Sequence, residues 1–156
     1  MNRIVILEFP EFISEQALEK IRVELYRWTI AQMRQGKTWN DEKMQPLSPI
    51  TLQSRRKKSS IPLQDTGRLT QSIQLFRKGE VFVFTSDLVY APTHQFGAII
   101  RPKKAKSLTI PADPGARYVR KGKWIFAREA RIPARPFFPN SPDIPRRLAE
   151  RILGVL

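Results

Sequence analysis

The sequence predicts an α+β fold, in which a long N-terminal amphipathic helix packs on a mainly antiparallel sheet. Two observations carry this prediction. Apolar residues recur at three- and four-residue spacing between Ser14 and Gly36, which indicates one face of a helix. Residues 72–86 are rich in β-forming residues and are interrupted once, at Lys78-Gly79, which is typical of two paired strands. A length of 156 residues is enough for one core, so residues 1–156 are predicted to form a single domain.

The bounds of the first strand and the first helix are predicted from a proline and from helix-capping residues. Residues 3–9 form a short β-rich segment that Pro10 ends. Ser14 is a suitable N-cap, and Gly36 is a suitable C-terminal stop for the helix. The face of that helix predicted to be buried is formed by Leu18, Ile21, Leu25, Trp28 and, at its last position, Gln32 or Met33.

A polar segment follows the helix. Residues 36–64 contain several prolines, and they are expected to form a flexible basic loop. Within them, Ser48 and Pro49 predict a short helix, because serine caps helices well and proline fits the first helical position.

The strand over residues 80–86 carries apolar residues on both faces. Phe82 and Phe84 alternate with Val81 and Val83, and a strand that is apolar on both sides is typically central in its sheet. We therefore expect this strand to be central and the sheet to have packing on each face.

Three short motifs stand out, and each joins a glycine or proline to large apolar residues. They are Leu63–Leu69 (LQDTGRL), Tyr90–Gly97 (YAPTHQFG) and Ile132–Phe138 (IPARPFF). The first is predicted to form a turn and the second a helical turn closed by Gly97. None of them carries a catalytic set of side chains, so the motifs indicate a structural part.

The remaining elements are a strand pair and a terminal helix. Residues 107–111 and 124–127 predict the two strands, and the segment 101–123 is expected to be a flexible basic hairpin with its tip between the strands. Residues 145–156 predict a short C-terminal helix.

The third motif is predicted to be an extended segment, since each proline restricts the residue before it and removes a backbone donor. Such a segment suits a sheet edge or a rigid arm against a neighbour. Arg135 lies between the two prolines and is therefore positioned to bind a carboxylate or backbone carbonyls. Phe137 and Phe138 have two interpretations, as an anchor into a neighbouring subunit or as part of the chain's own core.

His94 is the only histidine. A catalytic base or metal ligand needs partners, and no acidic residue, cysteine or second histidine stands at a useful spacing. The sequence also lacks a phosphate-binding loop and the common hydrolase motifs. We therefore expect no catalytic, metal or cofactor site. A hydrolase centred on His94 with Asp65 or Asp87 ranks well below the other hypotheses.

The formal net charge is +14. Such an excess indicates a surface that faces nucleic acid or an acidic protein, or else solvated loops. A second functional hypothesis is therefore a nucleic-acid-binding protein that uses the 101–123 hairpin. The candidate contacts are Arg55, Arg56, Lys57, Lys58, Arg101, Lys103, Lys104, Lys106, Arg120, Lys121 and Lys123.

The chain has no cysteine, no apolar run of about 18 residues and no recognisable signal peptide at its start. These features are typical of a protein made in a reducing cytoplasm, and no membrane partner is expected.

The order of the motifs resembles the phage virion morphogenesis family, the Mu-like tail-completion proteins of tailed phages and prophages. The family pattern has an N-terminal helix, a Trp before Pro-Leu-Ser-Pro-x-Thr, a Thr-Gly-x-Leu turn, Tyr-Ala-x-x-His-Gln-Phe-Gly and Ile-Pro-Ala-Arg-Pro-Phe. The chain supplies these in order, as Trp39, Pro46–Thr51, Thr66–Leu69, Tyr90–Gly97 and Ile132–Phe137. The resemblance covers most of residues 14–140.

The resemblance implies a non-enzymatic virion protein that completes the tail or tail neck and enables head–tail joining. The proteins that the chain resembles are similar to tail-completion and terminator subunits, which form rings, often hexamers. This likeness implies contacts with tail-tube and head–tail connector proteins. It implies assembly in the host bacterial cytoplasm and a final place in the virion tail or neck. The two functional hypotheses overlap, because the basic groups of a ring at the head–tail junction would face the passing genome. The candidate interface residues are Tyr90, His94, Gln95, Phe96, Arg135, Phe137 and Phe138.

Overall fold

A computed structural model describes residues 2–10, 13–55, 59–111, 124–141 and 143–154. Helices and antiparallel strands are both present, so the predicted α+β class is confirmed. In chain order the elements are β1 (Asn2–Glu8), α1 (Glu15–Gln35), α2 (Pro49–Ser54), α3 (Arg68–Gln71), β2 (Ile73–Lys78), β3 (Val81–Ser86), α4 (Ala91–Phe96), β4 (Ala98–Ile100), β5 (Leu108–Pro111), β6 (Trp124–Ala127), β7 (Ala130–Ile132) and α5 (Arg146–Leu153).

Helix α1 begins and ends where its capping residues predict. The Ser14 hydroxyl accepts a hydrogen bond from the Ala17 backbone N–H at 3.3 Å, which satisfies one of the free donors of the first turn. At the other end, Gly36 has a φ of 69°, a left-handed conformation that glycine adopts without strain. Local capping chemistry therefore fixes the length of α1.

The main sheet has the order β1-β3-β2 and is antiparallel throughout. Strand β3 is central, as predicted. Phe82 and Phe84 are fully buried in the cluster that includes Leu18 and Leu25 of α1. One face of the sheet is therefore covered by the helical layer.

The prediction of packing on both faces is wrong for the part of the chain that the structure describes. Val81 and Val83 point to the face opposite Phe82, and both are only half-buried. Phe76 pairs with Val83 and remains 46% exposed. Side chains alternate across a strand, so one helical layer covers only the Phe82 face.

Two further antiparallel ribbons lie outside the main sheet. Strand β4 pairs with β7, and β5 pairs with β6 as predicted. The tip of the predicted basic hairpin, residues 112–123, lies outside the described residues, and so does the basic run 56–58.

Part of the segment expected to be flexible is packed into the core instead. Trp39 is completely buried and Met44 is 6% exposed, and Lys37 pairs with Lys43 in an isolated bridge. Two large apolar side chains in an otherwise polar segment account for this difference, because their burial favours one conformation of the loop. Helix α2 forms at Ser48 and Pro49, as predicted.

Helix α5 packs against α1 through an ion pair as well as apolar contacts. Glu24 of α1 is 5% exposed, and its carboxylate accepts hydrogen bonds from Arg151 at 2.7 Å and Arg27 at 2.9 Å. Burial alone would raise the pKa of Glu24, but the hydrogen bonds from the two arginines outweigh burial and lower the pKa below its ordinary value of 4.5. The two helices are thus joined by a charged contact.

We expect Glu24→Gln to lower the free energy of unfolding at pH 7 by about 1–2 kcal/mol, because the charged hydrogen bonds from Arg151 and Arg27 become weaker neutral ones. The pKa of Glu24 is lowered on folding, so its ionisation stabilises the fold above the unfolded pKa. That stabilisation is lost as the pH falls through the folded pKa. Urea unfolding at pH 7 and at pH 3 measures both effects.

Glu19→Gln is the matched control on the same helix, because the Glu19–Arg22 pair is exposed and such pairs contribute little. An equal loss of unfolding free energy in both variants would contradict a stabilising role for ionised Glu24. A Glu24→Gln loss that persists unchanged at pH 3 would contradict it as well.

Candidate interaction site

Residues 133–138, here called the arm, enter the interior of the fold, since Pro133 and Ala134 are exposed whereas Arg135, Phe137 and Phe138 are buried. The arm contains Pro133 and Pro136, which have no N–H to donate. The Arg135 backbone N–H donates to the His94 carbonyl at 2.8 Å, and the Pro136 carbonyl accepts from the Trp39 N–H at 2.8 Å. The second motif and the loop after α1 therefore hold the arm from two sides.

Gln95 satisfies three further backbone groups of the arm. Its side chain is 1% exposed. The Gln95 Oε1 accepts hydrogen bonds from the backbone N–H groups of Phe137 and Phe138, both at 3.0 Å, and Nε2 donates to the Phe138 carbonyl at 3.1 Å. Buried backbone groups need such partners, so one amide side chain replaces the ladder that the arm lacks.

Gly97 allows the arm to approach α4 closely. It has a φ of 75°, and a Cβ at this position would lie 2.9 Å from the Ala134 nitrogen and 3.0 Å from the Ile132 carbonyl oxygen. Both the backbone conformation and the short approach require glycine. The closing glycine of the second motif is therefore also the docking point of the third.

The structure places Phe137 and Phe138 in the core of their own domain. Both are 0% exposed, and their ring centroids are 4.6 Å apart. Phe138 lies 5.4 Å from Phe84 of the central strand, and Phe84 lies 5.4 Å from Trp39. Of the two interpretations of this pair, the structure favours the core, and in this conformation neither ring offers surface to a neighbouring subunit.

Arg135 binds backbone carbonyls, which was one of its two predicted uses. Its Nε donates to the Gln45 carbonyl at 2.8 Å and its Nη2 to the Pro46 carbonyl at 2.9 Å. The residue is 6% exposed. Burial, together with the nearby charge of Arg55, lowers the pKa of Arg135.

The three motifs meet around one cleft of about 290 Å³. The first motif contributes Leu63 and Asp65–Leu69, the second contributes Tyr90 and His94, and the third contributes Arg135. Helix α2 and its flanks complete the wall with Leu47, Thr51 and Arg55. Segments that are far apart in the sequence thus form one concave surface.

His94 lies in the wall of this cleft in a half-buried position. Its ring meets the Tyr90 ring edge-on, with centroids 5.8 Å apart. Burial, and then the charge of Arg135, lower the pKa of His94, so the ring is neutral at pH 7. Its Nδ1 is buried without a hydrogen-bond partner in the described residues.

The two aspartates considered as partners of His94 are placed differently with respect to the cleft. Asp65 lines it, but Asp87 does not. Among the described residues, no group of three or more His, Asp or Glu side chains is arranged to hold a metal ion.

The exposed interface candidates lie on one short stretch of chain. Phe96 is 62% exposed and Tyr90 is 42% exposed. The sequence reasoning missed three further exposed residues of the same stretch, namely Val89, Ile99 and Ile100, at 86%, 52% and 43%. The adjacent isoleucines were the available signal, because neighbouring residues of a strand point to opposite faces and a short outer strand cannot bury both.

The candidate nucleic-acid contacts are not brought to one place among the described residues. Arg55 lines the cleft and donates to the carbonyls of Ser59 and Ile61. Arg101 pairs with Glu129 at 3.1 Å. The side chains of Lys103, Lys104 and Lys106 are exposed. The other candidates lie outside the described residues, and these are Arg56, Lys57, Lys58, Arg120, Lys121 and Lys123.

The fold and the site define a small α+β protein whose three motifs fix one another in space and expose an apolar stretch beside them. The sequence matches the model of the phage virion morphogenesis family over residues 14–156, and the chain belongs to this family. No curated protein and no solved structure matches it significantly. Family membership makes the protein a structural or assembly component associated with the phage virion. No helix in the described residues is long and apolar enough to cross a membrane.

We expect Gln95→Leu to lower the free energy of unfolding by about 3 kcal/mol, because it leaves three buried backbone groups of the arm without partners at a cost of about 1–3 kcal/mol each before relaxation. Urea unfolding measures the loss. Gln53→Leu, at an exposed position of α2, is the matched control and is expected to change stability by less than about 0.5 kcal/mol. A Gln95→Leu protein as stable as the control would show that Gln95 does not hold the arm.

Proposed function

We propose that the protein completes the tail or tail neck of a tailed phage or prophage and enables head–tail joining. It acts without catalysis, as a subunit of a homo-oligomeric ring that contacts tail-tube and head–tail connector proteins. A hexamer is the first ring size to test. The family supports the assembly role, and the exposed apolar stretch around α4 and β4 carries the more specific proposal.

This stretch, here called the α4–β4 surface, consists of Val89, Tyr90, Phe96, Ile99 and Ile100. Its exposed apolar groups lie close together in the sequence, and two of them, Phe96 and Ile99, line one depression. Exposed apolar groups that adjoin in space mark protein interfaces. Phe96 stands between Gln95 and Gly97, which are both fixed against the arm. The surface is therefore presented by a rigid support, and a rigid support lowers the entropic cost of binding.

The backbone of the neighbouring β4–β7 ribbon also favours contact with another chain. Phe96 and Ile99 line one shallow depression with Ile132 and Pro133, next to the two-stranded ribbon of β4 and β7. In the described residues this ribbon has only two strands, so its edges carry free donors and acceptors that another chain can pair with. A contact between this surface and a different surface of the next copy is heterologous, and such contacts form a ring when the rotation between copies closes.

A second candidate function rests on the exposed lysines before β5. Lys103, Lys104 and Lys106 follow one another closely and lie in the solvent, as groups that contact phosphates do. In this hypothesis the protein binds nucleic acid, and within a ring the same groups would face the passing genome. Binding to duplex DNA that weakens steeply with rising salt would support it.

Light scattering after size exclusion, with negative-stain images, tests the ring directly. We expect one closed species of defined mass for the natural chain. We expect Phe96→Ser to shift that species to the monomer while leaving the urea midpoint nearly unchanged, because the Phe96 ring is mostly in solvent within one subunit.

Leu153→Ser is the matched control, since Leu153 on α5 is 71% exposed and lies outside the α4–β4 surface. The control variant is expected to keep the natural oligomer. Loss of the oligomer in both variants, or in neither, contradicts the assignment of the α4–β4 surface. A natural chain that is monomeric even after mixing with purified tails contradicts the ring.

A further inference from the structure

The cleft where the three motifs meet carries an excess of positive charge. Three arginines line it, namely Arg55, Arg68 and Arg135, against one carboxylate, Asp65. With His94 neutral, the lining therefore has a formal charge of +2, from three positive groups and one negative group. None of the three arginines forms a salt bridge in the part of the chain that the structure describes.

The hydrogen bonds that these arginines make do not neutralise their charge. Arg135 and Arg55 donate to backbone carbonyls, which are neutral groups. Their charges also lie close enough for Arg55 to lower the pKa of Arg135. Like charges brought together in a partly buried site repel one another, so a bound anion would relieve this repulsion.

Arg68 is the arginine that is free to meet such an anion. Its side chain is exposed at the cleft, and it has no hydrogen bond or ion pair among the described residues. A guanidinium fork binds a carboxylate with two parallel hydrogen bonds. Arg68 therefore offers a complete donor set, while Arg135 supplies charge from the floor of the cleft.

The rest of the lining is apolar. Leu47, Leu63, Leu69 and Tyr90 contribute to the walls, and the volume of about 290 Å³ suits one or two side chains. Leu63 holds a φ of 62°, which is rare and costly for a bulky residue other than glycine. Strain of this kind is maintained only where the surroundings enforce it, and it concentrates at binding sites.

We propose that this cleft binds a carboxylate next to an apolar side chain in a peptide segment of a partner protein. Charge complementarity identifies the carboxylate, and the leucine and tyrosine walls identify the apolar neighbour. A peptide fits better than a nucleic acid, because Arg135 is 6% exposed and phosphates on a stiff backbone reach exposed groups more readily than recessed ones. The proposal goes beyond the role in the tail and does not depend on ring formation.

The single histidine makes the test direct, because its ring gives one set of side-chain signals in a ¹H–¹³C NMR spectrum of the full chain. The probe is N-acetyl-L-phenylalanine, which carries a carboxylate beside an apolar ring. N-acetyl-L-phenylalaninamide is its neutral counterpart. We expect the carboxylate to shift the His94 signal saturably, with a Kd of about 1–10 mM for so small a ligand, and the amide to bind at least tenfold more weakly.

Arg68→Gln is expected to raise the Kd for the carboxylate at least fivefold. Arg146→Gln is the matched control, because the Arg146 side chain is 92% exposed on α5 and its loss removes the same charge outside the cleft. Equal shifts with the acid and the amide, no saturable shift, or equal weakening in both variants would overturn the proposal. A His94 shift caused by a short oligothymidylate at 150 mM salt, without one from the acid, would assign the cleft to nucleic acid instead.

Discussion

The side-chain amide of Gln95 is the contact on which the arrangement of the three motifs depends. The third motif must enter the core in order to bury Phe137 and Phe138, but its prolines prevent it from pairing as a regular strand. Buried backbone groups without partners cost more free energy than a typical hydrogen bond returns. Gln95 removes that cost by accepting from two arm N–H groups and donating to one arm carbonyl. The burial of the two phenylalanine rings then stabilises the fold without leaving these backbone groups unpaired.

The other motif residues follow from the same requirement. The arm must lie within hydrogen-bonding distance of α4, so the residue after α4 has no room for a side chain, and Gly97 stands there. The loop after α1 approaches the arm from the opposite side through Trp39 and the carbonyls that Arg135 binds. The cleft, with its excess of arginine charge, is the space left between these anchored segments. The residues that make the three motifs recognisable in the sequence are thus explained by their contacts within the fold. The exposed groups beside them are the ones available to bind another protein.

The elements whose signals are local were predictable from the sequence. The bounds of α1 follow from Ser14 and Gly36, and the start of α2 follows from Ser48 and Pro49, because caps act within one turn. The central position of β3 followed from its apolar faces. The exposure of the sheet face that carries Phe76 was not predictable, because a strand's own sequence does not show whether a second layer covers that face.

The candidate site was predictable only in part. The place of Arg135 between two prolines predicted a positioned guanidinium that binds a carboxylate or backbone carbonyls, and the structure shows the carbonyls. The role of Gln95 was not predictable, since a glutamine in a polar helical turn resembles a solvated residue until the chain 42 positions away is brought to it. The exposure of Val89 and Ile99 likewise depends on which parts of the domain cover them. Long-range contacts of this kind leave no local sequence pattern.

Native-state hydrogen exchange of the Phe137 and Phe138 amides tests the central claim most directly. Both N–H groups donate to Gln95, and we hold that this contact forms part of the domain's cooperative core. The expected result is that the two amides exchange only through global unfolding, with the free energy measured for the amides of Leu25 in α1 and Phe84 in β3. Exchange of the arm amides at a free energy several kcal/mol lower would mean that the arm detaches on its own, and the contact with Gln95 would not be the constraint that organises the fold.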